Sequence, residues 1–182
     1  MMAGGAKYAR SMPPIDTFDI SSLRLEAGAG RRLELSVAVE PLDLGAESYA
    51  IDPEPLPVRV DVSRTTGGGY ALTLRFSATV RGPCMRCLEP AEPAVEVEAR
   101  EISQPGEGEE LDSPYLEQGI LAIAAWTHDA LALGLPATLL CRPDCAGLCP
   151  VCGADLNTAG PDHAHPRDPD PRWAKLAELK LD

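Results

Sequence analysis

Aromatic residues are scarce in this chain: only eight of its 182 residues are Phe, Trp or Tyr. Any core is therefore aliphatic, drawn from a hydrophobic content of 45%. Basic charge is also in short supply, and the net charge is −12. That balance argues against a protein whose whole surface clings to phosphate backbones. Long apolar runs are missing. The longest, Ile120 to Trp126, is too short to span a membrane, and the first ten residues hold no stretch of signal-peptide length. A cytosolic protein is expected, and in that compartment six cysteines are not expected to form structural disulfides.

Several catalytic signatures are absent as well. Pro83-Cys84-Met85-Arg86-Cys87 matches one half of a zinc deaminase pattern, but no histidine precedes Cys84 to supply the H-x-E half. There is no H-E-x-x-H, which excludes a zincin protease, and no G-x-x-x-x-G-K-[ST]. Gly67-Gly68-Gly69 lacks the lysine and the following helix that would cradle a phosphate. A thioredoxin-like role needs C-x-x-C opening a helix in a βαβ unit, whereas Cys84 and Cys87 fall between strand patterns. No general acid–base pair is brought together by spacing.

What the chain does have is concentrated cysteine. Cys141 to Asn157 reads C-R-P-D-C-A-G-L-C-P-V-C-G-A-D-L-N, with Cys141, Cys145, Cys149 and Cys152 in its first twelve positions. Cys149-Pro150-Val151-Cys152-Gly153 has the form of a zinc knuckle, in which two thiolates three positions apart grip one ion. Gly153 lets backbone amides face the sulfurs without a Cβ clash. Pro143 and Gly147 mark further turns, so the block reads as loop. Cys84 and Cys87 repeat the spacing upstream, and paired C-x-x-C units in one short cytosolic chain point to metal.

Between these blocks the pattern is that of strands. Leu33, Leu35, Val37 and Val39 alternate with polar or small residues until Pro41, and 41–57 reads as a proline-containing loop. Val58, Val60 and Val62 alternate again. Thr65 to Gly69 forms a hairpin turn, and Tyr70 to Arg81 alternates over its whole length. Val95 to Arg100 returns with the same period. Such alternation means an antiparallel sheet with one buried and one wet face. Ile15 to Ile20 is a short first strand, and 21–30 a connector.

The remaining segments are appendages. Residues 1–14 are Gly-, Ala- and Ser-rich and read as a disordered tail, 15–101 as the β domain, and 102–118 as a mobile acidic linker. Residues 119–182 hold a helix, the cysteine-rich lobe and a terminal helix. The first helix, Gly119 to Gly134, places Ile120, Ile123, Ala124, Thr127 and Leu131 on one face, with Asp129 off it, and Leu135-Pro136 ends it. Asp170-Pro171 opens the terminal helix, whose Trp173, Leu176 and Leu179 form a stripe expected to dock through Trp173 on this protein, or else on a partner. The fold class is thus α+β: an antiparallel sheet core, one internal helix, a zinc-knuckle lobe and a short C-terminal helix.

Charge is uneven. Pro83 to Glu117 carries ten acidic residues against two basic ones, whereas the first 35 residues are near neutral. Arg24, Arg31 and Arg32 leave room for a local RNA contact. The acidic run either holds a basic protein or is a solvated loop.

Six cysteines exceed one tetrahedral site and fall short of two all-cysteine sites; His163 and His165 bring the donors to eight. One partition joins Cys84, Cys87, Cys141 and Cys145, and separately Cys149, Cys152, His163 and His165. The other gives one zinc to the Cys149 pair plus either the Cys84 or the Cys141 pair. The first leaves nothing over, although imidazoles two positions apart need an extended chain to converge. His128, inside the helix pattern, reads as a surface or packing residue.

Cys84-Met85-Arg86-Cys87-Leu88-Glu89-Pro90 resembles the C-x-R-C-L-E-P signature of the YceD family, the bacterial large ribosomal RNA subunit accumulation proteins with relatives in plastids. The block Cys141 to Asn157 resembles its cysteine-rich end, and the ending from Asp162 to Leu176, D-H-A-H-P-R-D-P-D-P-R-W-A-K-L, resembles its terminal D-P-R-W-A-x-L element. The resemblance covers about Asp16 to Leu179. It implies a non-enzymatic, cytoplasmic ribosome biogenesis factor supporting 23S ribosomal RNA accumulation, with one or two structural zinc ions. The implied partner is large-subunit RNA or a basic large-subunit ribosomal protein. It implies no membrane and no small-molecule substrate. A thiol or zinc redox protein using Cys84 and Cys87, and an acidic adaptor, are the alternatives.

Overall fold

The computed structural model describes residues 13–104, 111–160 and 162–166. Its centre is an antiparallel sheet of β2 (Gly30–Val37), β3 (Leu42–Leu44), β4 (Glu47–Asp52), β5 (Leu56–Arg64), β6 (Tyr70–Pro83), β7 (Pro90–Ala91) and β8 (Ala94–Ser103). β6 is the spine. It pairs with β5 and β4 along one edge and with β8 and β7 along the other. The register Val60↔Leu74 and Phe76↔Val97 puts the alternating apolar side chains of three strands on one face. Val60, Val62, Leu74 and Val80 are fully buried there. Burying such side chains contributes about 1.5–3 kcal/mol each relative to exposure.

The opposite face is polar and laced by charge. Arg32 reaches Asp61 at 2.7 Å, Asp61 meets Arg75 at 2.9 Å, and Arg75 meets Glu98 at 2.9 Å. Arg100 closes the chain on Glu98 at 2.7 Å. The β5–β6 turn is fixed by Thr65, which exchanges bonds with Gly69 through its backbone N–H and its hydroxyl. A Cβ on Gly69 would collide with the backbone of Ser103, so glycine is required for that close approach.

Three segments differ from the sequence expectation. Residues 41–57 are not a loop: β3 and β4 form a hairpin around Gly45, which sits at φ 70°. Its prolines concealed the alternation of Tyr49 and Ile51, both buried. Pro57 lies within β5 but beyond the stretch paired with β6, so its missing N–H breaks no bond there. The expected strand from Ile15 shrinks to β1 (Phe18–Asp19), with Ile15 making only a single bridge to Val37.

The acidic segment before the helix is not all linker. β8 runs on to Ser103, and β9 (Leu116–Glu117) and β10 (Ile120–Leu121) pair, with β10 also pairing β1. Gln118 and Gly119 both have positive φ, which makes a tight hairpin turn. Helix α1 therefore starts at Ile123, not Gly119, and ends at Gly134. Ile120 is exposed in the strand, and the buried helix face is Ile123, Trp126, Thr127, Ala130 and Leu131. Leu135 is extended, as expected before proline. The helix closes over β8 and β2, and its side chains share one apolar core with the sheet. The N-terminal tail up to residue 12, the acidic residues 105–110 and the expected terminal helix with Trp173 lie outside the described residues.

Candidate metal centre

Two groups of metal-ligating side chains lie at the end of the sheet. β6 runs directly into Cys84, and β7 pairs back on Gly82 and Pro83, so the first cysteine pair caps a hairpin. The Cys84 amide donates to the Glu89 carbonyl at 2.7 Å, and the Leu88 amide to the Cys84 carbonyl at 3.0 Å. Leu88 takes φ 65° to complete the turn. The second block is laid across this tip. Met85 N–H donates to the Leu139 carbonyl at 2.9 Å and Leu148 N–H to the Arg86 carbonyl at 3.1 Å. The Arg86 guanidinium donates to the Cys145 carbonyl at 2.9 Å.

The result brings Cys84, Cys87, Cys141 and Cys145 together, with all four sulfurs within 4.8 Å of one another. Cys84 Sγ stands 3.8 Å from Cys145 Sγ and Cys87 Sγ 3.6 Å from Cys141 Sγ. A zinc–sulfur bond near 2.3 Å in a tetrahedron sets sulfur atoms about 3.8 Å apart. A disulfide needs about 2.05 Å. The spacing thus fits a shared cation. Cys84, Cys87 and Cys145 are buried and packed by Ala91, Leu140 and Leu148.

Electrostatics agree with the geometry. Desolvation pushes the Cys84 thiol up, but amides of Arg86, Cys87 and Cys141 aimed at its sulfur hold it down at about 6. The Glu89 amide favours the Cys87 thiolate, yet burial and the three neighbouring thiols push Cys87 up to about 12. Burial likewise raises Cys141. Four thiols this close cannot all ionise by themselves; a divalent cation removes that penalty.

The second group is Cys149, Cys152, His163 and His165, again with donor atoms within 4.8 Å. Cys152 Sγ lies 3.5 Å from His163 Nε2, and the two imidazole Nε2 atoms are 3.1 Å apart. The rings sit edge to face at 82°. Backbone amides of Cys152 and Val151, then the His163 ring, hold the Cys149 thiol down at about 6. The knuckle is closed by Cys149 N–H to the Ala154 carbonyl and Gly153 N–H to the Cys149 carbonyl, each 2.8 Å, with Gly153 at φ 71°. These are the two groupings of the eight-donor partition. Borderline-soft zinc suits both sets, four thiolates in one and two thiolates with two imidazoles in the other. His128 is outside both, half-buried on α1 and beside Asp129 at 3.2 Å.

One supporting residue escaped the sequence reading. Asn157 lies in the first turn of α2 (Leu156–Ala159), which Asp155 caps by accepting from the Asn157 amide. Its side-chain oxygen accepts from Ala146 N–H and from Arg142, both at 2.8 Å, and its amide donates to Cys145 Sγ at 3.7 Å and to Asp155 at 2.7 Å. Its place two positions after Asp155, just past the knuckle, was the only signal in the sequence.

An antiparallel sheet with a cysteine-bearing hairpin tip and two clustered sets of possible metal donors defines a protein of the α+β class. The chain belongs to the YceD family: the family described as Large ribosomal RNA subunit accumulation protein YceD matches residues 72–180, a span that takes in both clusters. An uncharacterized protein of Mycobacterium tuberculosis is 35% identical over 179 residues, covering 90% of this chain and 80% of its own length. An uncharacterized Mycobacterium leprae protein is 30% identical over 175 residues, covering 89% of this chain and 76% of its own. No solved structure matches. Among the described residues no helix is long and apolar enough to cross a membrane.

Proposed function

We propose that this protein is a non-enzymatic ribosome biogenesis factor of the bacterial cytoplasm that supports accumulation of 23S ribosomal RNA, with structural zinc in both clusters. The observation that carries the reading is the family match over residues 72–180. The inner cluster supports the non-catalytic role. Four sulfurs within reach of one ion, three of them on buried residues, match the closed ligand set of a structural zinc, which keeps no position open for water or substrate. In this reading the cysteine-rich lobe is the working end and the sheet with α1 is its support.

A specific observation favours a basic large-subunit ribosomal protein over naked RNA as the direct partner. Arg32, Arg75, Arg81 and Arg100 on the wet face of the sheet are each paired with carboxylates, which leaves that face little net positive potential. The redox alternative is disfavoured because Cys84 and Cys87 each lie beside a sulfur of the other block. Affinity purification of the tagged chain from bacterial lysate, with nuclease and salt arms, tests the reading. Large-subunit proteins retained after nuclease treatment and lost with rising salt are expected, together with a lower 23S to 16S ratio in cells depleted of the protein. Recovery of no large-subunit component and an unchanged ratio would overturn it.

A further inference from the structure

The two clusters differ in how their donors are held. The inner set joins residues 54 to 61 positions apart, and three of its sulfurs are at most 5% exposed. Backbone bonds between Met85 and Leu139 and between Arg86 and Leu148 tie both halves together around the sulfurs. Releasing an ion from there means separating two segments that also pack on each other.

The outer set is only half prepared. Cys149 and Cys152 ride on a closed knuckle, but His163 and His165 lie on a short stretch, 162–166, that makes few hydrogen bonds among the described residues. Its only backbone hydrogen bond outside regular structure, among the described residues, is His163 N–H to the Gly160 carbonyl at 3.4 Å. Cys152 and His165 are exposed and His163 is half-buried. That stretch can swing off while the knuckle keeps its shape, and an incoming thiol, imidazole or aminocarboxylate can then reach the metal from solvent. Exchange at a four-coordinate zinc goes fastest where one protein donor leaves easily and a competitor has access.

We propose that the outer cluster, Cys149, Cys152, His163 and His165, is an exchangeable zinc site, while the inner four-cysteine cluster keeps its ion for the life of the folded chain. This rests on the reading that both clusters hold zinc. Its consequence is that zinc supply sets whether residues 163–166 are fastened to the knuckle, so one end of the lobe responds to available zinc and the sheet-borne end does not.

The test follows zinc release from the full chain to the chromophoric chelator 4-(2-pyridylazo)resorcinol, after elemental analysis of the loaded protein. Two ions per chain are expected, one leaving in a fast phase and the other only after the cysteines are modified or the chain is denatured. Cys149→Ser should keep one ion and lose the fast phase; Cys84→Ser should lose the slow one. His165→Ala, which leaves three donors, should speed the fast phase by about tenfold or more without touching the slow one. Two ions leaving in a single phase, or a fast phase that survives Cys149→Ser, overturns the proposal and leaves the two-zinc reading standing. One ion per chain, retained in full by Cys149→Ser, overturns both.

Discussion

Glu98 shows how much one side chain of the wet face is shaped by its neighbours. Hydrogen bonds from Arg75 first and Arg100 second hold its carboxyl at about 2, against an ordinary value of 4.5. A depressed carboxylate stabilises the folded state above its unfolded pKa. The contribution of Glu98 is therefore complete above about pH 4.5 and is lost as pH falls toward 2. Carbon-detected NMR should give a Glu98 midpoint near 2, and Arg75→Gln should move it upward, with Arg100 left to hold it part of the way; a midpoint near 4.5 in the parent protein would contradict the network. Residues of this kind differ in how far the sequence betrays them. The pairing of Cys84 with Cys87 and of Cys149 with Cys152 stood out in the sequence by its three-residue spacing, whereas Cys141 and Cys145 are spaced one residue wider and come together with the first pair only in the fold. Asn157 and Arg86 were not legible, because each touches Cys145 or its neighbours only once two distant segments have met.

Among the elements, the long strands were legible and the short ones were not. β5, β6 and β8 carry unbroken alternation, so period alone set their faces and the parity of every buried residue. β3 and β4 are three and six residues long and are flanked by Pro41 and Pro53, and they are stabilised by pairing rather than by their own pattern. The same holds for β9 and β10, whose turn at Gln118-Gly119 displaced the start of α1 by four residues from the expected Gly119. The missed hairpin has a definite job. The ring of Tyr49 of β4 packs against Gly82 of β6, and its hydroxyl donates to the Pro83 carbonyl at 3.0 Å, just before Cys84. A Cβ on Gly82 would collide with that ring. Gly82→Ala should cost about 1–3 kcal/mol, as overpacking does, read as a lower urea midpoint in zinc-loaded protein. An unchanged midpoint would mean the ring does not rest there.

For the molecule as a whole, the apolar interior is divided. One cluster joins the sheet, α1 and Leu139; a second, small one surrounds Cys84, Cys87 and Cys145. The large cluster contains no candidate ligand. Removing both ions by modifying the cysteines, without denaturant, should therefore unfold the cysteine-rich segment and spare the sheet. Amide NMR signals of residues 30–103 outside the Cys84–Ala91 tip should persist while those of 141–160 collapse toward random-coil positions. Loss of both sets together would show that the sheet depends on the ions. The overall α+β class was legible because it needs only periodicity. The sharing of one core by helix and sheet was not, since nothing in a one-dimensional pattern says which apolar face meets which.

The order in which the chain is made gives the hairpin tip at Cys84 a further meaning. Its two sulfurs leave the synthesising ribosome more than fifty residues ahead of Cys141 and Cys145, with which they complete a set of four. Until then the newborn polypeptide presents a lone dithiol at the end of a sheet that is already pairing. If the proposed zinc is bound, its capture is thus a late event in this protein's own manufacture, and any product that stops short of the second block is left with a bare, oxidisable pair and no lobe.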